Sequence, residues 1–314
     1  MNKNRKIWLN SLVGIGISAI LLYSLWLQIE KQLLHFDGNS WWQEGNRRFL
    51  LIGILIMPLN LSLEVLKWKL LAGSAQPLSI LQAWKSYFAG IAISLITPNR
   101  IGEYPGRILY LRRKNTIRLI SVSILGAFAQ FFALFFYGTV GLIYYNIAFP
   151  GYWQKLLLVV CCFVIIIVAA FYFYFEKWII YFERIKWLRR LGTYKELIRR
   201  FTTREQVQVL VISVLRFAVY TVQYLVLLHW MNISFPLLSG FLMACLYFWS
   251  LAVIPSIAFA ELGVRGQVSL FLFHHFSENT IGILAATVGL WSINLILPAL
   301  IGSILLLRVR FFNS

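Results

Sequence analysis

The chain has 314 residues, of which 60% are hydrophobic and 13% are charged, and its formal net charge is +18. Soluble domains carry about 25% charged residues, so this composition excludes an ordinary soluble protein and predicts an integral membrane protein. A nucleic-acid-binding protein is excluded as well, because that class needs a soluble basic face, whereas here the positive charges lie in short clusters between apolar runs.

Six apolar stretches are long enough to cross the roughly 30 Å hydrocarbon core of a bilayer as helices. The first resembles a signal peptide, but its apolar run exceeds the usual range of about 7 to 15 residues and no small-residue cleavage site follows, so we expect a retained span. The predicted spans are 7–29, 49–71, 119–145, 156–175, 207–230 and 280–307.

Two further apolar stretches, 79–111 and 236–276, are each interrupted near the middle. Their halves, at about 16 residues, are shorter than the roughly 20 that a spanning helix needs, which favours two re-entrant helical hairpins. Two complete spans in each stretch would leave the loops on the same sides. A single crossing would place the basic cluster Arg112–Arg118 outside, against the rule that Lys and Arg stay in the cytoplasm.

Six spans and two hairpins place the dense basic clusters, including the loop 176–206, on the cytoplasmic side. The sequence therefore predicts an all-α polytopic protein of the cell membrane, with both termini in the cytoplasm. We expect one integral membrane domain over 1–314, with a first repeat at about 49–145 and a second at about 207–307.

The two interrupted stretches share a motif. "TPNRIGEYPGR" and "IPSIAFAELGVR" both contain a proline, a short spacer, and then a glutamate followed four residues later by an arginine. Because the predicted hairpins enter from opposite sides, the pattern is typical of an inverted repeat whose broken helices line a central polar cavity. The residues expected to break the hairpins or to allow close approach are Pro98, Gly102, Pro105, Gly106, Pro255 and Gly263.

Charged side chains inside the predicted spans and hairpins form the candidate substrate-binding site. Each costs about 2.5 to 3.5 kcal/mol at the centre of a spanning helix unless it is paired or hydrated. The candidate substrate-binding residues are Glu64, Arg100, Glu103, Arg107, Arg216, Glu261 and Arg265. Lys67 and Lys69 lie near the end of their span, and we expect them to snorkel to the membrane surface.

Two interpretations of the hairpin charges stay open. Glu103 with Arg107, and Glu261 with Arg265, have the i,i+4 order that favours salt bridges within a helix, so the charges could simply lock each hairpin. Alternatively, the arginines grip a lipid phosphate, for which the planar guanidinium is suited.

The chain lacks the phosphate-loop, zinc-pair and nucleophile-elbow motifs of common enzymes. The three cysteines have no metal-ligand spacing. We therefore predict no cofactor, no metal and no catalytic residue, and do not expect an enzyme.

Four segments, "EVLKWKLL", "TPNRIGEYPGR", "LRFAVYTVQY" and "PSIAFAELGVR", resemble the flippase-like transmembrane domain of the lysylphosphatidylglycerol synthases, the multiple peptide resistance factors. The resemblance implies movement of a phospholipid, aminoacylated in the synthases, from the inner to the outer leaflet of a bacterial inner membrane. The chain ends at Ser314 without the soluble aminoacyl-transferase domain, so we expect a separate lipid-modifying enzyme as a partner. The chain could also form a homodimer.

The leading prediction is thus a lipid flippase or transporter with a phospholipid headgroup as its ligand. One alternative is a membrane enzyme or accessory subunit acting on a lipid-linked substrate, with Glu103 or Glu261 as the acid or base. Another is a non-transporting scaffold whose basic loop recruits anionic lipid.

Overall fold

The computed structural model describes residues 23, 44–95, 97, 102–108, 111, 116–174, 202–254 and 261–306. Every regular element in these ranges is helical. The helices are α1 (Glu44–Gly73), α2 (Ile80–Leu95), α3 (Glu103–Ile108), α4 (Thr116–Ala148), α5 (Tyr152–Phe173), α6 (Thr203–Trp230), α7 (Leu237–Val253), α8 (Glu261–Phe273), α9 (Thr280–Trp291), a π-helical segment (Ser292–Ile296) and α10 (Leu297–Leu306).

Within the described ranges, five segments are long and apolar enough to cross a membrane, and they match five of the six predicted spans. They are Asn46–Gly73, Val122–Ala148, Tyr152–Phe173, Thr203–Trp230 and Thr280–Leu306. The predicted span 7–29 falls, apart from residue 23, outside the described residues. The prediction of an all-α polytopic membrane fold is confirmed.

The two interrupted stretches are pairs of short helices. In the first, α2 has 16 residues and α3 has 6; in the second, α7 has 17 and α8 has 13. All are shorter than the roughly 20 residues of a complete span, and in each pair the two helices pack against each other. The breaks, with Pro98, Arg100 and Pro255, lie outside the described residues, as does most of the basic loop 176–206. Opposite insertion of the hairpins stays a prediction.

The chain divides into two compact units, which are described separately. Unit I lies within Met1–Met57 and Thr221–Ile293, and unit II within Pro58–Tyr220 and Asn294–Ser314. The helix pair α7–α8 therefore belongs to unit I, and the pair α2–α3 belongs to unit II.

The core of unit I contains a buried hydroxyl network. The Tyr224 hydroxyl lies 2.6 Å from Ser269 Oγ and 2.9 Å from Thr287 Oγ1, while its ring stacks on Tyr247 at a centroid distance of 5.0 Å. Every hydroxyl of this trio has a partner inside the unit, which is the condition for burying polar groups without a large penalty. The trio joins α6, α8 and α9 and explains how a polar core persists among apolar helices.

Unit II is held together by close helix contacts at glycines. A methyl group built on Gly106 of α3 would lie 2.8 Å from the Gly90 Cα and 2.9 Å from the Ala89 carbonyl oxygen of α2. On the other side of α2, Gly302 of α10 approaches the Phe88 carbonyl. These contacts fix α3, and with it the side chains that follow Gly106, against α2.

Gly106→Ala is therefore expected to destabilise the protein by about 1 to 3 kcal/mol, since backbone atoms of α2 would have to move aside. Gly73→Ala is the matched control, because nothing lies within 4 Å of a methyl group at that position. Unfolding in detergent by chemical denaturation measures both. Equal stability of the two variants would show that α3 does not depend on this contact.

Candidate functional site

Five charged side chains of unit II meet between the helices α1, α3 and α6. α1 contributes an i,i+3 pair, α3 an i,i+4 pair, and α6 a single arginine, so that each helical pair presents its charges on one face. The residues are Glu64, Lys67, Glu103, Arg107 and Arg216.

Glu64 is the centre of the cluster. Its Oε1 accepts a hydrogen bond from Arg107 Nη2 at 2.8 Å, and its Oε2 lies 2.7 Å from Lys67 Nζ and 3.1 Å from Arg216 Nη1. The Glu64 side chain is only 7% exposed. One buried carboxylate thus ties α1, α3 and α6 together, because all three cations need it as a counter-charge.

Arg107 is held on several sides. Its Nη2 also contacts Glu103 Oε1, and its guanidinium carbon lies 5.3 Å from the centroid of the Trp68 ring and 5.2 Å from that of Tyr87, both within cation–π range. Its backbone carbonyl accepts a hydrogen bond from Ser86 Oγ, which in turn accepts one from Trp68 Nε1 at 2.9 Å. The guanidinium is therefore pre-oriented, which suits a planar, bidentate recognition group.

A cavity of about 160 Å³ borders the cluster. Gln130 of α4 lines this cavity, and its Oε1 accepts hydrogen bonds from Lys67 Nζ at 3.2 Å and from Arg216 Nη1 at 3.1 Å. Glu103 and Arg216 are partly exposed, at 29% and 25% of their side chains, whereas Arg107 is buried. The cavity therefore opens on the side of Glu103 and Arg216.

The charge balance favours an anion in this cavity. The described cluster holds three cations against two carboxylates, so one positive charge is left over. In addition, Arg107 Nε and Arg216 Nε are buried and have no hydrogen-bond partner among the described residues. A phosphate or carboxylate group could use both the charge and the unused donors.

The model of the family described as "Lysylphosphatidylglycerol synthase TM region" matches residues 11–302. The chain belongs to this family. The match covers the five charges of the cluster and Gln130, and membership supports a membrane-lipid role for this multi-pass protein. Neither a curated protein nor a solved structure matches the chain significantly.

The structure brings together four of the seven predicted site residues, namely Glu64, Glu103, Arg107 and Arg216. Glu261 and Arg265 belong to unit I, where Glu261 Oε1 accepts hydrogen bonds from Arg265 Nη2 at 2.7 Å and from Nε at 3.1 Å. Both i,i+4 salt bridges are therefore confirmed as contacts. Arg100 lies outside the described residues.

Pro105 and Gly263, which were expected to break a hairpin or to allow close approach, each lie in the first turn of the second helix of their pair. Pro105 is the third residue of α3, where the missing amide hydrogen is not needed because the first turn of a helix has no internal acceptor for it. Gly263 lies within α8 and is buried. Gly102 and Gly106 do allow close approach, since Gly102 is buried against Thr97 and Ile93.

The expectation that Lys67 snorkels is wrong. Lys67 is 4% exposed and lies one turn from Glu64 on the same face of α1, where it supplies a counter-charge that the buried carboxylate needs. Gln130 was also missed, although an amide near the middle of the apolar helix α4 is itself a signal of a polar cavity. Trp68, Ser86 and Tyr87 carried no such signal in this aromatic-rich chain.

Ser86→Ala is expected to destabilise the protein by about 1 to 3 kcal/mol, because the buried Trp68 Nε1 would lose its acceptor. The near-isosteric change leaves almost no cavity, so the lost hydrogen bonds dominate. Ser62→Ala is the control, since Ser62 is only half-buried and donates to the Pro58 carbonyl of its own helix. Denaturant titration of both variants compares them, and an unaffected Ser86→Ala would refute the Trp68–Ser86–Arg107 chain.

Proposed function

We propose that the chain moves a phosphate-bearing lipid between the leaflets of the cell membrane, and that the cluster around Arg107 binds its headgroup. The observation that carries this proposal is the largely buried cluster with an excess of one positive charge beside a cavity of about 160 Å³ in unit II. Isolated charges at membrane depth are costly, so a retained excess is best explained by a ligand of opposite charge.

Membership of the family supports a lipid as the source of that charge. Within the proposal, the headgroup enters from the cytoplasmic leaflet, its phosphate is held by Arg107, Arg216 and Lys67, and Glu103 at the cavity opening meets any amine that the headgroup carries. Both chain termini then lie in the cytoplasm. A homodimer and a separate lipid-modifying enzyme stay predictions.

The proposal includes no chemical step. Both carboxylates of the cluster, Glu64 and Glu103, contact Arg107, which favours a role for them as counter-charges. Conversion of a lipid by the purified protein would overturn this part of the proposal.

Reconstituted vesicles test the proposal. Radiolabelled phosphatidylglycerol is placed in the inner leaflet, and its arrival outside is measured with an external phospholipase. A native headgroup is needed because a bulky fluorescent label would not fit a cavity of about 160 Å³. We expect faster exchange than in protein-free vesicles. If no phosphate-bearing lipid of a native bacterial extract moves faster, lipid transport is wrong.

A further inference from the structure

We infer that the side-chain oxygen of Gln130 occupies the place of an anionic phosphate oxygen, and that the ligand binds by displacing it from Lys67 and Arg216. The inference rests on the proposed function and deepens it, since it assigns the anion subsite to one face of the cluster and makes Gln130 the residue that sets its charge.

The geometry around the two cations supports the assignment. Lys67 Nζ and Arg216 Nη1 each face two acceptor oxygens, the carboxylate oxygen Glu64 Oε2 and the amide oxygen Gln130 Oε1. The contacts to Glu64 are 2.7 and 3.1 Å, and those to Gln130 are 3.2 and 3.1 Å. Gln130 thus stands where a second anionic oxygen would complete the coordination of both cations.

The charge of the cluster also supports a phosphate oxygen in the place of the Gln130 oxygen. A carboxylate at position 130 would balance the three cations, whereas the neutral amide leaves one positive charge uncompensated. Hydrogen bonds to an ionised acceptor are roughly twice as strong as those between neutral groups. Replacing the amide oxygen by a phosphate oxygen therefore strengthens both contacts and neutralises the excess.

The cavity provides room for this exchange. Gln130 lines the same cavity as Lys67 and Arg216, and its volume of about 160 Å³ is roughly ten times the 10 to 15 Å³ that a single water needs, which leaves room for a phosphate group. The ligand chemistry is thus a phosphate group, which either a lipid headgroup or free inorganic phosphate could supply.

Three variants distinguish a role of Gln130 in anion binding from a purely structural role. Gln130→Glu keeps the shape and both hydrogen bonds but fills the subsite with a fixed negative charge. Gln130→Ala removes the competing oxygen without adding charge. Gln82→Glu is the matched control, because Gln82 is exposed and accepts from the Ser79 amide in a capping box, where glutamate serves equally well.

The full chain in a non-ionic detergent is used for two binding measurements. Native mass spectrometry compares retention of phosphatidylglycerol with that of diacylglycerol, and calorimetry measures binding of inorganic phosphate. We expect Gln130→Glu to weaken phosphate-group binding at least about tenfold, Gln130→Ala to tighten it, and Gln82→Glu to match the wild type. Loss of phosphatidylglycerol alone identifies the lipid as the source, and loss of inorganic phosphate alone identifies the free ion.

Three results would overturn the inference: wild-type binding by Gln130→Glu, equal weakening by Gln130→Glu and Gln130→Ala, or no binding of either probe by the wild type. The first two leave lipid movement in the vesicle assay untouched, so failure of this inference is distinguishable from failure of the proposed function. Melting temperatures of the variants establish that each is folded before its binding is compared.

Discussion

Glu64→Gln is expected to lower the free energy of unfolding by about 3 to 5 kcal/mol, the usual loss when one partner of a buried ion pair is removed. Glu64 is the one residue of the described cluster that all three cations contact. Without its charge, Lys67, Arg107 and Arg216 would face each other with only Glu103 as a counter-charge. The glutamine would also direct amide hydrogens at a cation, since only one of its two terminal atoms can accept.

Chemical denaturation in detergent measures this loss. Glu205→Gln is the matched control, because Glu205 is half-buried and caps the start of α6 through Thr202, where glutamine also serves, so stability should change by less than about 0.5 kcal/mol. The double variant Glu64→Gln with Lys67→Met should recover part of the stability, as it removes one of the orphaned charges. If Glu64→Gln is as stable as Glu205→Gln, the cations do not depend on Glu64.

Arg107→Lys is expected to reduce lipid movement about 10-fold to 100-fold while the protein still folds. The ammonium keeps the charge near Glu64, but it lacks the planar fork and cannot stack between Trp68 and Tyr87 in the same way. One charge-assisted hydrogen bond is worth about 1.5 to 3 kcal/mol, which corresponds to this range of rates.

The vesicle assay with radiolabelled phosphatidylglycerol compares Arg107→Lys with Arg204→Lys. Arg204 is exposed near the start of α6, so its replacement should leave the rate unchanged. Equal rates for both variants, at equal amounts of folded protein, would show that Arg107 supplies only charge or only structural support. A loss confined to Arg107→Lys would assign a geometric role to its guanidinium.

Local features of the fold could be predicted from the sequence. Hydropathy over about 20 residues defines a spanning helix, and the described spans follow it closely. The interruptions at 79–111 and 236–276 were also visible, because Pro, Gly and charged residues stand out in an apolar run. The i,i+4 pairs of Glu103 with Arg107 and Glu261 with Arg265 follow from helical geometry alone.

The composition of the cluster could not be predicted in the same way. Arg216 meets Glu64 and Gln130 only because α6, α1 and α4 are rotated to face one another, and this rotation depends on packing over the whole unit. The period of a helix shows which residues share a face, but not which neighbour that face meets. For the same reason Lys67 was assigned to the membrane surface, although the burial of Glu64 draws it inward.

The most direct test of a headgroup site around Arg107 is an experimental structure of the protein in nanodiscs that contain phosphatidylglycerol. The account predicts a phosphate group in the cavity, within hydrogen-bond distance of Lys67, Arg107 and Arg216, with the Gln130 amide displaced. A structure in which the lipid phosphate is bound elsewhere, while Gln130 still contacts Lys67 and Arg216, would contradict it.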